Sequence, residues 1–282
     1  MEATTEDRSK QEFTGIEWTD RSWNPVTGCD KISQGCKFCY AETLSKRLHA
    51  MGNPRYTNGF RVTLHADKVR EPASWRAPEW IFVNSMSDLL HKDVPDAFIL
   101  DCADTMATRA NWHRYQWLTK RHDRWPLISR LIMDRFGAWP RNILPGVSVE
   151  NKAALVRIDR LGEVGDAGTV RKLSIEPLLE SLCDGDVYAL AERFKRNRIG
   201  WVISGGEAGF SARPAELEWF REVRDAAILA DIPFFHKQHG GPGITKDVKR
   251  GGKLAVLDDV LWHQMPNVWH APPPGRRQGS LL

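Results

Sequence analysis

The hydrophobic period of this chain changes repeatedly along its length. Short apolar runs alternate with longer amphipathic segments along most of its 282 residues. Runs at 15–19 (GIEWT), 80–86 (WIFVNSM), 114–120 (RYQWLTK), 142–149 (NILPGVSV), 170–176 (VRKLSIE), 200–206 (GWVISGG) and 232–238 (IPFFHKQ) read as strands. Segments 40–51, 95–109, 123–136, 151–162, 185–197 and 214–230 read as helices. Leu44, Leu48 and Met51 fall on one face of the first helix. Pro95 suits the first turn of the second, and Gly162 the end of the fourth. A strand followed each time by a helix returns the chain to the same end, so the strands are expected to run parallel. An open doubly wound sheet and a barrel both satisfy this alternation. The number of units, over a length of about 250 residues, favours a partial or complete parallel β/α barrel.

The expected organisation is a polar arm over 1–14, the barrel over 15–241 and an extension over 242–282. Within the extension, 253–265 (KLAVLDDVLWHQM) is expected to close one barrel end as a strand or helix, and 271–282 to be disordered. Hydrophobic residues at 41% and charged residues at 27% suit a soluble globular protein. No apolar run approaches the roughly 18 residues of a membrane span, so no membrane association is expected. The opening MEATTEDRSKQEF lacks the apolar stretch of a secretion signal. Five cysteines, an odd number at irregular spacing, argue against a disulfide framework and for a reducing cytoplasmic location.

Each apolar run finishes in polar residues. Asn84, Ser85, Ser87 and Asp88 end the second, Thr119 and Lys120 the third, and Ser148 and Glu150 the fourth. Ser174 and Glu176 end the fifth, Gly205, Gly206 and Glu207 the sixth, and Lys237 and Gln238 the last. In a parallel β/α array these ends share one face, where the loops converge on a mouth that can hold a ligand. Local explanations compete at several positions. Ser87 or Asp88 can cap a helix, the paired glycines can form a tight turn, and the lysines can be solvated surface charge. Glu176 can pair with Lys120 or Arg121 across the rim.

GCDKISQGCKFCY (28–40) gathers Cys29, Cys36 and Cys39 into the first loop of that face. Three thiolates can bind zinc if His49 or His65 supplies a fourth ligand. They can instead hold an iron–sulfur cluster with one iron left open to a small molecule. Cys102 and Cys183 lie apart and read as small buried hydrophobes. The nine histidines show no pair at ligand spacing that marks a second metal site.

With Phe38 before the last cysteine and Tyr40 after it, CKFC resembles the second half of the C-x3-C-x-aromatic-C motif of radical S-adenosylmethionine (SAM) enzymes. Six residues separate the first two cysteines here, where that motif has three. Beyond the loop, WNPVTGCDKISQGCKFCYAE, FVNSMSDLLH, WLTKR, GVSVEN, SIEPLL, ISGGEAG and PFFHKQ together resemble a phage-associated family of uncharacterised three-cysteine-motif proteins, placed within or beside that superfamily. The resemblance implies a [4Fe–4S] cluster on Cys29, Cys36 and Cys39, flanked by Tyr40. It implies that SAM chelates the open iron through its amino and carboxylate groups. Reductive cleavage would then give a 5′-deoxyadenosyl radical that abstracts hydrogen from substrate. It further implies an electron donor, such as a flavodoxin or ferredoxin, and a companion protein.

By position, Asn84, Ser85 and Asp88 correspond to the superfamily's amino-group site, and Ser148 and Glu150 to its ribose site. Gly205, Gly206 and Glu207 repeat the superfamily's GGE letters, but later in the chain. Glu176 and Glu207 are candidates to contact SAM or substrate. Lys120, Arg121, Lys237 and Gln238 can hold SAM's carboxylate or a phosphate on substrate.

Formal net charge is +4, unevenly distributed: from Arg109 to Arg141 there are eight Lys or Arg and two Asp, with Trp112, Tyr115, Trp117, Trp125 and Trp139 among them. Such a mixture can bind a nucleic acid or nucleotide through phosphates and stacked bases, or can be an exposed helix interleaved with core tryptophans. Two functional alternatives to the enzyme stay open: a zinc-binding nucleic-acid module, and an iron–sulfur sensor or electron-transfer protein.

Overall fold

The computed structural model describes residues 16–242 and 255–272. Seven strands form one parallel sheet: β1 (Arg21–Trp23), β2 (Trp80–Val83), β3 (Arg114–Thr119), β4 (Ile143–Ser148), β5 (Arg171–Ile175), β6 (Ile199–Ser204) and β7 (Phe234–His236). Their order in the sheet is their order in the chain, and the sheet curls into a half-barrel. The intervening helices are α1 (Tyr40–Ala50), α2 (Asp96–Asp104), α3 (Trp125–Phe136), α4 (Val156–Gly162), α5 (Val187–Arg196) and α6 (Leu217–Leu229). The sheet is therefore the partial form of the expected barrel.

Every residue of β2, β4 and β5 is buried, as parallel strands covered on both faces require. Side chains alternate between two cores. Ile81, Val83, Tyr115, Trp117, Leu173 and Ile175 pack outward with the helices, whereas Trp80, Phe82, Leu144, Trp201, Ile203 and Phe235 pack on the inner face with Trp18. Lys172 is buried on that inner face. Its Nζ lies 4.2 Å from the Trp18 ring centroid and donates to Gln116 Oε1 at 2.9 Å. Gln116 Nε2 in turn donates to the Trp18 carbonyl at 2.9 Å. Burial of the amine pushes the Lys172 pKa well below its ordinary value. The floor of the half-barrel is thus filled, and a ligand has to enter from the opposite end.

The first strand differs from its sequence reading. Residues 16–19 form a turn and β1 begins at Arg21. Thr19 Oγ1 donates to the Trp80 carbonyl at 2.7 Å and Asp20 Oδ2 accepts from Trp80 N at 2.8 Å, which frees Trp18 to swing under the sheet as a plug. The helix start at 151 is a 3-10 turn, Lys152–Leu155, capped by Asn151 Oδ1, which accepts from Ala154 N at 3.1 Å. On α1 the buried residues are Ala41 and Ser45; Leu48 is partly buried, while Leu44 and Met51 face solvent.

The extension supplies a hairpin, Val256–Leu257 with Val260–Leu261. The residues after it run along the free edge of β7: His236 N donates to the Trp262 carbonyl at 2.7 Å, and Gln264 N to the Phe234 carbonyl at 3.1 Å. The edge is thereby covered. Residues 1–14 and 273–282 lie outside the described residues, so the expected arm and the end of the expected tail do too.

The basic, tryptophan-rich stretch contributes to the core. Trp117 and Trp125 pack at 4.9 Å between ring centroids, Trp125 and Trp139 at 6.1 Å, and Trp112, Tyr115 and Trp139 are also buried. None of these rings can stack on a base. The cations of the stretch are largely committed to local contacts, Arg124 to the His91 and Val94 carbonyls and to Asp96, and Arg141 to Asp166.

Asp166 also accepts from Trp139 N at 3.2 Å and Gly168 N at 2.9 Å. Partial burial works to raise its pKa, but the Arg141 guanidinium and the two backbone donors outweigh it and hold the carboxyl at about 2, below the ordinary 3.8. A depressed folded pKa stabilises above the unfolded value and is lost as pH falls through the folded one. Asp166→Asn should therefore cost about 1 kcal/mol at neutral pH and remove part of the acid sensitivity below about pH 4. Thermal melts of both proteins from neutral to acid pH check this: parallel curves would contradict it.

Candidate active site

The sheet is parallel, so all seven strand ends open on one side, and the cysteine loop lies across that side. After β1 the chain makes a two-residue strand, Val26–Thr27, paired antiparallel with Thr63–Leu64. Gly28 then turns it at φ +85°; an added Cβ there would sit 2.2 Å from the Arg61 carbonyl oxygen. Gly28 N donates to the Met86 carbonyl at 3.0 Å, which fastens the start of the loop to the β2 end. Cys36 closes a 3-10 turn, Gln34–Cys36, and Cys39 precedes the first turn of α1.

Successive strand ends grip this loop. Tyr40 Oη donates to the Ser85 carbonyl at 2.6 Å, beyond β2. Beyond β3, Arg121 Nη2 donates to the Asp30 carbonyl at 3.1 Å and lies 3.7 Å from Cys29 Sγ. Beyond β4, Glu150 packs so closely on Gly35 that an added Cβ would lie 3.2 Å from its carboxylate. Beyond β6, Arg213 Nη2 donates to the Gln34 carbonyl at 3.0 Å while Nε and Nη2 hold Glu207 at 2.9 and 2.7 Å.

The three thiols are free and partly buried. Burial, then the Asp88 charge, pushes Cys29 up to about 11, partly opposed by Arg121. Burial also works to raise Cys36, but hydrogen bonds from the Ile32 backbone and the Ser33 hydroxyl, with the charge of Lys120, hold it below the ordinary thiol value. Among the described residues, one set of three ligand atoms lies within 4.8 Å of one another, on Asp30, His91 and Asp93, and none such includes a cysteine. One zinc ion, with Zn–S bonds of about 2.3 Å, needs its sulfurs closer together than that.

The two histidines expected to complete a zinc site are engaged elsewhere. His49 Nδ1 is 2.7 Å from the Tyr56 carbonyl, and His65 Nε2 is 2.9 Å from Thr27 Oγ1. His91 Nδ1 accepts from Asp93 N at 3.2 Å, so Nε2 carries the proton that bonds Asp30 Oδ2 at 3.1 Å. That ring has no lone pair left for an ion, and it acts as another clasp on the loop.

A family model describing proteins of unknown function matches residues 13–266. The chain belongs to the DUF5131 family. No curated protein and no solved structure matches it. The DUF5131 match takes in the half-barrel, the cysteine loop and the hairpin alike.

In this DUF5131 chain the candidate residues divide into braces and open groups. Asp88 is spent on structure: it accepts from Thr119 Oγ1 at 2.7 Å, Lys120 N at 3.1 Å and Leu90 N at 3.0 Å. Ser85 Oγ exchanges with the Asn24 amide. Glu176 pairs with Lys237 at 2.6 Å, a partner just beyond β7 in place of the expected Lys120 or Arg121. Gln238 Nε2 is taken by the Gly206 carbonyl at 3.1 Å, while its buried Oε1 has no hydrogen-bond partner. Glu207 is burdened by burial, yet Arg213 keeps its carboxyl below the usual range. Gly206 is a crossing point of two chains, since an added Cβ would lie 1.9 Å from the His239 carbonyl oxygen.

The open groups are fewer. Asn84 is buried; its Nδ2 donates to Ser87 Oγ at 2.7 Å, and its Oδ1 has no hydrogen-bond partner. Glu150 is buried and gives Oε2 to Arg157 at 2.6 Å, leaving Oε1 without a well-formed bond. Burial works to raise its pKa, but Lys120, Arg157 and the nearby Ser33 hydroxyl hold it low. Ser148, on the same inner face, is buried and gives its carbonyl to Arg157 at 2.7 Å. The Lys120 ammonium acts electrostatically on both Cys36 and Glu150. Sequence reading missed Arg213, His91 and Arg157. Each lies several residues beyond a strand end, and its role depends on a partner distant in the chain.

Proposed function

We propose that this protein is a radical SAM-type enzyme, with Cys29, Cys36 and Cys39 holding a [4Fe–4S] cluster at the mouth and SAM bound beside it. The observation that carries the reading is the loop itself: three free thiols lie across the open end of a parallel half-barrel, above buried acceptors that lack partners. When bound, the two cofactors supply reductive cleavage of a sulfonium and hydrogen abstraction from substrate. The protein's own groups suit their retention. Asn84 Oδ1 can accept from an ammonium, Glu150 Oε1 from a ribose hydroxyl, and Lys120 can meet a carboxylate. Arg121 and Arg213 fix the loop, and the filled floor keeps water from the far side. Glu176 and Glu207, already neutralised by Lys237 and Arg213, form the rim toward substrate. An electron donor such as a flavodoxin or ferredoxin completes the scheme.

The test is oxygen-free reconstitution with iron and sulfide, analysis of iron and zinc, then dithionite and SAM with assay for 5′-deoxyadenosine. Iron with 5′-deoxyadenosine is the expected result. Zinc alone in protein kept from oxygen throughout would replace this reading with the zinc module. Bound iron without cleavage, in the presence of candidate oligonucleotide substrates, would replace it with a sensor or electron carrier.

A further inference from the structure

The tryptophans expected to stack on bases are buried, but another surface has the composition they lacked. Residues 29–64 contain six Lys or Arg, namely Lys31, Lys37, Lys46, Arg47, Arg55 and Arg61, against two acidic residues, Asp30 and Glu42. This excess equals the formal net charge of the whole chain, +4. Glu42 is shared between Lys31 at 2.9 Å and Lys46 at 2.7 Å, and Arg55 is tied to the Asn24 carbonyl. Lys37, Arg47 and Arg61 make no ion pair among the described residues.

Exposed aromatic rings stand among these charges. Phe38 lies between Lys37, with Nζ 5.1 Å from the ring centroid, and Arg213, with Cζ at 5.4 Å. Tyr40 turns its hydroxyl to Ser85 yet remains 57% exposed, and Phe210, three residues before Arg213, is 95% exposed. Tyr40, Leu44, Arg47 and Met51 fall at helical spacing on the solvent side of α1 and continue the surface away from the mouth.

We propose that this surface binds single-stranded nucleic acid, leading the strand past Phe38 and Phe210 to the mouth. Phosphates would neutralise the unpaired cations, and bases would lie on the exposed rings. A protein partner covering Phe38 would have to bury Lys37 and Arg213 beside it, and lysine is depleted in the cores of such interfaces. The binding surface stands by itself; only its role in delivering a substrate rests on the reading of the mouth given above.

The test is fluorescence anisotropy on the full-length protein, without SAM or reductant, using labelled oligo(dT) and oligo(U). The matching duplex and polyglutamate serve as competitors. At least one single strand should bind, more tightly than duplex, with log affinity falling linearly in log salt. Lys37→Glu and Arg47→Glu should each lower that slope by about 0.7. The double variant Phe38→Ala, Phe210→Ala should lose roughly thirtyfold or more in affinity with the slope unchanged. No binding at low salt, displacement by polyglutamate as effective as by nucleic acid, or indifference to all these surface variants would each overturn the proposal. Strand binding in a protein that takes up no iron would sink the enzyme reading alone. Iron and SAM cleavage without strand binding would sink this one alone.

Discussion

Replacing Cys36 with alanine should abolish iron uptake and 5′-deoxyadenosine formation while leaving the fold nearly as stable as before. Cys36 ends a 3-10 turn whose backbone is fixed independently of the thiol, with Cys36 N donating to the Ser33 carbonyl at 3.0 Å and Arg213 holding the Gln34 carbonyl. Alanine keeps that backbone and removes one half-buried sulfur, a change within about 1 kcal/mol. The cluster would lose one of its three ligands, which neither remaining thiol can replace. Cys102→Ala is the contrasting control. That thiol is fully buried in the outer core, and burial holds its pKa well above the ordinary value. Its removal should lower the melting temperature, with a cost of about 1 kcal/mol, and leave iron content untouched. Iron per chain, product formation and thermal melts separate the two variants. Full iron in Cys36→Ala would remove the ligand assignment, whatever its activity.

The fold was legible because its signals are local. β2, β4 and β5 are buried on both faces and so read as unbroken apolar runs, and their observed bounds fall within a few residues of the expected ones. The exception is instructive. GIEWT has strand composition, but Trp18 is apolar because it plugs the floor against Lys172, a role that period alone cannot tell from a strand residue. The same ambiguity affects Trp112, Trp117, Trp125 and Trp139, since a ring that stacks on a base and a ring that packs on a helix are the same ring until burial is known. Strand-end position located the rim, because parallel strands put every C-terminal end on one side. It could not assign partners. Asp88 is consumed by Thr119, and Glu176 by Lys237 61 positions away, so which rim groups stay open is settled by tertiary pairing. The cysteine spacing located the loop but carried no information about Arg213, which reaches it from 179 positions along the chain.

Gly206→Ala should be among the most damaging single substitutions in the protein, and Gly205→Ala should be mild. The pair admits two explanations, a close approach to a ligand or a close approach to the chain itself. At Gly206 an added Cβ would lie 1.9 Å from the His239 carbonyl oxygen and 2.5 Å from its carbon, both backbone atoms held in place by neighbouring bonds. Gly206 N donates to the Gln238 carbonyl at 2.8 Å, and Gly241 N to the Glu207 carbonyl at 2.8 Å, so the two chains cannot part without breaking the joint between β6 and β7. Overlap of this size against backbone should cost about 3 kcal/mol and lower the melting temperature by roughly 10 °C. The displacement would pass through Glu207 and Arg213 to the Gln34 turn, so the loop thiols should also react faster with an alkylating reagent. At Gly205 the nearest atoms are the Glu176 Cδ at 3.3 Å and the Lys237 Cβ at 3.4 Å, side chains with room to yield, and the expected cost is under about 1 kcal/mol. The reverse outcome, Gly206→Ala stable and Gly205→Ala stable but unable to bind SAM, would mean that a ligand, and not the crossing chain, is what these glycines accommodate.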